Sequence, residues 1–334
     1  MINLVDTSLR DGMHSVSHQF TPAQIGEVAA ALDPTGIRLI EVSHGDGLGG
    51  SSYQYGFAAA DDLEYVEAAV AATERADVAV LLLPGIGTIH LLAEARERGA
   101  AAVRVATHCT EADISAQHLS WARENEMFAI GFLMMSHMVE PAKLAEQALL
   151  MESYGAQVVY AVDSAGALVP TGARARVEAL REALSVEVGF HAHNNLGCGV
   201  GNSLAAVEAG ATWVDGSLRG LGAGSGNAQT EVLAAALAKA GLDVEVDVFA
   251  LLDVAEDVVA PLLTRPQIID RASVLLGYSG VYSSFLRHTE RAAEKYGVDS
   301  REVLLELGRR GVVGGQEDVI IEVAAAQARR AVAS

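Results

Sequence analysis

The sequence predicts a (β/α)8 TIM barrel followed by an all-helical C-terminal extension, and three observations predict it. Short β-branched apolar runs alternate with longer stretches of helical periodicity. Eight such strand–helix units fill about the first 240 residues. Beyond Ala240 the strand signal stops and the helical signal continues. Strands that alternate with helices imply a parallel sheet, and eight units in this length favour a closed barrel over an open doubly wound sheet.

The strands are expected over residues 2–6, 37–43, 78–83, 102–107, 128–133, 157–162, 186–191 and 212–215. Helical patterns fall between them, at 22–32, 61–73, 88–98, 114–125, 141–154 and 171–184. Thr21 before Pro22 reads as an N-cap with proline at the first helical position. Gly99, Gly155 and Gly210 follow helical patterns, as C-terminal glycines do. In the extension, helices are expected at 244–258, 271–276, 283–296, 301–309 and 316–331, with Pro261 and Pro266 at the join. The expected division is a catalytic barrel over 1–262 and a helical domain over 263–334.

Composition narrows the function. Of 334 residues, 51% are hydrophobic and 20% charged, an ordinary globular balance. The 23 basic and 43 acidic residues leave a net charge of -20, which disfavours broad capture of nucleic acid or an anionic membrane. It leaves room for a small cationic site for one anionic metabolite. Two cysteines, Cys109 and Cys198, make no disulfide framework and read as inert small residues in a reducing compartment. The opening segment lacks the pattern of a signal peptide, and no uncharged apolar run reaches the ~18 residues of a membrane helix. The expectation is a soluble cytoplasmic protein.

In such barrels the chemistry sits at the C-terminal strand ends. The polar clusters of this sequence fall there: Asp6–His14, Glu41–Asp46, Thr107–Glu111, Asp163–Gly166, His191–Asn195 and Gly220–Asn227. His191 and His193 lie two apart on one strand and therefore share a face. Two imidazoles there make a chelate for a divalent metal, and Asp11 is the best carboxylate to complete it. The mixed N/O set admits Mn²⁺, Fe²⁺, Co²⁺ or Zn²⁺, and Mg²⁺ less comfortably.

Arg10 reads either as a surface ion pair with Asp11 or as a buried guanidinium that stabilises negative charge on a substrate oxygen. His14 reads either as a structural histidine or as a general base. The Gly220–Asn227 loop lacks the context of a dinucleotide fingerprint and has no Walker lysine. It reads as close backbone approach around the site, with Asn227 capping the next helix. The 45–56 loop reads as a lid or as a plain surface loop.

The run Leu9-Arg10-Asp11-Gly12 with His191-x-His193 resembles the metal-dependent lyase and aldolase superfamily of hydroxymethylglutaryl-CoA lyase and isopropylmalate synthase. Further segments are similar to the 4-hydroxy-2-oxovalerate aldolases: 41–47 with 50–52, 81–85, 104–113, 131–138, 278–288 and 313–318. The histidine at position 14 also fits the aldolases, since the acyl-CoA branch usually carries glutamine there.

The resemblance implies retro-aldol cleavage of a 4-hydroxy-2-oxo acid to pyruvate and an aldehyde, at the end of meta-cleavage degradation of aromatics or sterols. It implies Mn²⁺, with Co²⁺ or Mg²⁺ as substitutes, on Asp11, His191 and His193, and no organic cofactor. It makes His14 the base and Arg10 the partner of the enolate. Ser164 and Tyr282 would touch substrate, and Leu81 and Leu83 would line the pocket beside its C4 substituent. It also implies an acylating acetaldehyde dehydrogenase docked on the helical extension, in a hetero-oligomer such as a heterotetramer. Two other readings remain beside it: an acyl-CoA lyase or synthase on the same fold, and a non-catalytic partner of a dehydrogenase.

Overall fold

Eight parallel strands pair in sequence order and the last returns to the first, closing the barrel. A computed structural model describes residues 1–333. The strands are β1 (Asn3–Asp6), β2 (Leu39–Glu41), β3 (Asp77–Leu82), β4 (Ala102–His108), β5 (Phe128–Met134), β6 (Val158–Asp163), β7 (Glu187–Ala192) and β8 (Trp213–Gly216). The helices that cross between them are α1 (Pro22–Leu32), α2 (Asp62–Ala72), α3 (Ile89–Glu97), α4 (Ala116–Glu124), α5 (Pro141–Ser153), α6 (Pro170–Ala183) and α7 (Gly199–Glu208), and α8 (Thr230–Lys239) follows the last strand. The strands and α1–α6 each lie within a few residues of their expected places, while the sequence reading sets no range for α7 and α8. Thr21 caps α1 as read: its hydroxyl accepts from Gln24 N–H while the Gln24 side chain accepts from Thr21 N–H.

Two apolar layers build the barrel. The outer one fills the space between strands and helices, with Leu4, Ile40, Val80 and Val105 facing Ile25, Val66 and Leu92. The inner one fills the lumen with Val5, Leu39, Ala79, Leu81, Ala102, Ile130, Phe132, Val158, Tyr160 and Trp213. Each strand alternates between the two layers, as the pleat requires. Strands buried on both faces read as continuous apolar runs, which is why they were legible.

One loop anchor is worth a test. The buried Asp33 Oδ1 accepts from the N–H groups of Glu74, Arg75 and Ala76, at 3.1, 2.8 and 2.8 Å, and so ties the α2–β3 connection to the end of α1. Burial alone would raise this carboxyl, but the three backbone donors outweigh it and hold it below the usual carboxylate range. A lowered carboxyl stabilises the fold at neutral pH and loses that contribution as pH falls through the carboxylate range. Asp33→Ala is therefore expected to destabilise by about 2 kcal/mol at pH 7. The gap to wild type should narrow below about pH 4 in chemical denaturation.

Past the barrel the chain departs from the expected helix over 244–258. Ile2 N–H donates to Asp243 O at 2.8 Å and Ile2 pairs with Val244, which keeps that segment extended. The helix α9 spans only Val248–Asp253 and continues as a π-turn over Val254–Val259, before a short turn that holds Pro261. Leu251, Val254, Ala255 and Val259 belong to the outer barrel core. The remaining helices are α10 (Arg271–Ser279), α11 (Phe285–Tyr296), α12 (Ser300–Arg310) and α13 (Asp318–Ala333). They enclose an apolar cluster of their own that includes Leu276, Phe285, Leu304, Leu307 and Val323.

Candidate active site

The barrel lumen carries one polar layer. Glu41 on β2, Arg104 on β4, Tyr160 on β6 and Asp215 on β8 are all fully buried or nearly so and come from alternate strands. Such layers are normally bulky and branched. Here Arg104 bridges the layer: its guanidinium pairs with Asp215 Oδ2 and lies 3.3 Å from Glu41 Oε2. The same cation sits over the rings of Phe132 and Tyr160, at 4.2 and 4.6 Å. Gly189 on β7 makes room for this, because a Cβ there would lie 2.3 Å from the Tyr160 ring.

The metal candidates stand on this floor. After β1 the chain turns sharply, with Thr7 O accepting from both Arg10 N–H and Gly12 N–H, and this carries Asp11 over the barrel mouth. Asp11 Oδ2 lies 3.3 Å from His191 Nε2 and 3.5 Å from His193 Nε2. Nitrogen and oxygen donors of the three buried residues all fall within 4.8 Å of one another. His191 Nδ1 is 2.7 Å from Asp215 Oδ2, and a carboxylate only accepts, so Nδ1 holds a proton and Nε2 is the atom turned toward Asp11. Burial would lower this imidazole, but the Asp11 and Asp215 carboxylates outweigh it and raise it, so a metal would take the place of a proton on Nε2. Burial would raise the Asp11 carboxyl, but Arg10 and the two imidazoles hold it well below its ordinary range. Burial pushes His193 down to about 4, so it is neutral and able to ligate. Three carboxylates (Asp11, Glu41, Asp215) face two guanidiniums (Arg10, Arg104) beneath the mouth. The donor types and their convergence fit a divalent ion.

Arg10 is 5% exposed, so its guanidinium is buried and its pairing with Asp11 is not a surface one. Its Nε donates to Glu41 Oε2 at 2.7 Å, its Nη1 donates to Gly45 O at 3.2 Å, and Asp11 Oδ2 is 3.5 Å away.

His14 is half-buried beside this cluster and contributes to the electrostatics of His193. It meets His18 edge-on at 5.0 Å, and His18 stacks on His44 at 3.8 Å. His14, His18 and Asp46 form a second group of donors within 4.8 Å of one another. The backbone of the 45–56 loop presses on this group, since a Cβ at Gly45 would lie 2.7 Å from His14 Nε2. The base of that loop is tied down by Asp62, which accepts from His44 N–H and Gly49 N–H at 2.6 and 2.8 Å. Tyr53 at its tip is 97% exposed.

The remaining sequence candidates are more scattered. Leu81 points into the lumen and Leu83 packs at its upper edge, on the same face of the β3 segment. Ser164 follows β6 and accepts from Met135 N–H at 3.0 Å. Tyr282 sits in the extension near Cys109 and Glu111, where burial raises its phenol. No hydrogen bond among the described residues links Ser164 or Tyr282 to the metal candidates. Cys109 is inert as read: buried, donating to Met135 O at 3.3 Å, its thiol pushed up to about 12 by burial.

One expectation is corrected. Asn227 does not cap α8; its amide donates to Ser217 Oγ and Leu221 O, both at 2.9 Å. Those bonds close the glycine-rich loop on itself. The close backbone approach read there is present, since a Cβ at Gly226 would lie 1.6 Å from Gly220 O.

Sequence reasoning assigned no role to Glu41, Arg104, Tyr160 or Asp215. The one signal was Arg104 itself, an arginine at an inward position between Ala102 and Ala106 of a buried strand.

Residues 1–258 match the HMGL-like family, and residues 267–329 match the DmpG-like communication domain. A 4-hydroxy-2-oxovalerate aldolase of Carboxydothermus hydrogenoformans is 62% identical over 97% of this chain and 96% of its own length. A 4-hydroxy-2-oxovalerate aldolase of Nocardia farcinica is 61% identical over 98% of this chain and 95% of its own. This chain belongs to the 4-hydroxy-2-oxovalerate aldolase family. Membership makes it a lyase of the HMGL-like, metal-dependent group, with Asp11, His191 and His193 as a possible metal site.

Solved structures agree with this aldolase on the fold. The N-terminal domain of a putative aldolase from Bacteroides vulgatus superposes with a TM-score of 0.74 at 20% identity, covering 89% of this chain and 98% of that one. A Rhizobium etli pyruvate carboxylase superposes with a TM-score of 0.80 at 19% identity, covering 98% of this chain and 32% of that one. Among the described residues no helix of the aldolase is long and apolar enough to cross a membrane.

Proposed function

We propose that this aldolase cleaves 4-hydroxy-2-oxopentanoate, or a close 4-hydroxy-2-oxo acid, to pyruvate and acetaldehyde or a longer aldehyde. The observation that carries the reading is the convergence of Asp11, His191 and His193 beside a buried Arg10, with His14 on the flank. Asp11, His191 and His193 would hold the metal, for which Mn²⁺ is our assignment and Co²⁺ or Mg²⁺ the substitutes. When bound, a divalent ion supplies Lewis acidity toward the 2-oxo group.

The chain's own residues do the rest. His14 takes the proton from the C4 hydroxyl. The C3–C4 bond breaks, its electron pair passes to pyruvate as the enolate, and the C4 oxygen becomes the aldehyde carbonyl. Glu41 and Gly45 O hold Nε and Nη1 of Arg10, and Nη2 would donate to the enolate oxygen. That donor acts most strongly on charge that appears only as the bond breaks. Ser164 and Tyr282 border the substrate, and Leu81 and Leu83 set the room at C4.

The test is pyruvate release from 4-hydroxy-2-oxopentanoate by metal-stripped, Mn²⁺-reloaded protein, read by coupling to lactate dehydrogenase. A CoA thioester serves as the competing substrate. Pyruvate from no 4-hydroxy-2-oxo acid, or turnover of the thioester alone, would sink the reading. Leu83→Ala should shift relative kcat/KM toward longer aldehydes by about tenfold, as expected for opening a hydrophobic pocket. A panel of aldehydes condensed with pyruvate measures it.

The same reading gives the chain a barrel over 1–262 and a docking domain over 263–334, with an acylating acetaldehyde dehydrogenase as partner in a cytoplasmic hetero-oligomer. The match to a communication domain supports it, as do the exposed Ile268, Tyr278 and Ile321. A step in the degradation of aromatics or sterols fits that partner.

A further inference from the structure

The polar layer in the lumen has a hub. Asp215 Oδ2 accepts from Arg104 and faces His191 Nδ1, while Glu41 Oε2 accepts from Arg10 Nε and lies 3.3 Å from Arg104. One oxygen on each carboxylate is thus shared between Arg104 and a group at the barrel mouth.

We propose that Arg104 is a positioning residue, which holds the His191 imidazole and the Arg10 guanidinium in register from beneath the active site. The inference rests on the metal reading of Asp11, His191 and His193 given above.

Three features make Arg104 suited to this. It is fully buried, so neither of its ion pairs is screened by solvent. The faces of Phe132 and Tyr160 hold the guanidinium plane, and the strand register fixes its base, with Arg104 opposite Leu81 on β3 and Ile130 on β5. Its planar fork spans two carboxylates on β2 and β8, the strands that flank β1, which the point charge of a lysine cannot do at once. Without the fork, Glu41 and Asp215 lose their common anchor and repel one another. Arg10 and His191 then lose the orientation those carboxylates impose. The fold alone has no use for a charged layer here, since apolar side chains fill it in other barrels.

Arg104→Met and Arg104→Lys test the inference, with Asp11→Asn as control. Mn²⁺ affinity is read by calorimetry on stripped protein, and kcat and KM are read at saturating Mn²⁺. Arg104→Met should bind Mn²⁺ about 10–100-fold more weakly, the usual effect of removing a group that orients a metal ligand. Its kcat should stay depressed when metal is saturating, because Arg10 is also released. Arg104→Lys should recover only part of both losses.

A purely structural arginine gives the opposite pattern: a lowered melting temperature with Mn²⁺ affinity and saturating kcat within about threefold of wild type. That result overturns the inference. Should Arg104→Met yield no folded protein, Arg104→Lys decides alone by the same threefold margin. Wild-type protein that binds no Mn²⁺, or an Asp11→Asn control that binds it normally, defeats the metal reading itself, and the inference with it. Metal-dependent wild-type turnover with unaffected Arg104 variants defeats the inference only.

Discussion

Asp11→Asn is expected to abolish turnover at micromolar Mn²⁺, with a fall in rate of about 10³ or more, the several kcal/mol that a Lewis acid contributes. Asp11 is the residue whose oxygen meets both imidazoles, at 3.3 and 3.5 Å, and it is the anion that balances a cation between them. Replacement by a neutral amide keeps the shape and removes the charge. Arg10 retains Glu41 and Gly45 O, so the turn after β1 should keep its form and the variant should fold. Metal content by atomic spectroscopy, melting temperature and pyruvate release together make the check. Wild-type metal content and turnover in a folded Asp11→Asn protein would refute the assignment.

His14→Ala is the second large effect. Loss of a positioned general base lowers kcat by roughly 10²–10⁴. Because His14 is none of the three donors around Asp11, metal content should be unchanged and the substrate KM should move little. The separation matters because His14 also belongs to the group with His18 and Asp46. If the substitution empties the Asp11 site, His14 acts through the metal and not as a base. If turnover survives, another group takes the proton.

How far the site was legible depended on the range of the forces involved. His191 and His193 could be paired from sequence because the strand pleat is local: residues two apart share a face wherever the strand sits. Asp11 could be joined to them because strand ends converge at one mouth of a barrel. Arg104 and Asp215 could not be joined in the same way. They lie 111 residues apart, and nothing in either strand's own pattern shows that the two side chains reach the same level of the lumen. That level follows from the stagger of all eight strands. Asn227 failed for a related reason. An asparagine shortly before a helix reads as a cap, but the tight approach of Gly226 to Gly220 O turned its amide inward onto Ser217 and Leu221.

The sequence by itself determined the alternation of strand and helix, the closed barrel, the helical extension and the residues at the barrel mouth. These follow from periodicity, turn chemistry and the geometry common to such barrels, all carried by short stretches of chain. Only the tertiary structure decided what stands beneath the mouth. It buried Arg10 against Glu41, set His14 edge-on to His18 and built a polar layer from four alternate strands. Charges that meet across a closed lumen are fixed by the register of strands distant in sequence, and that register exists only once the barrel has closed.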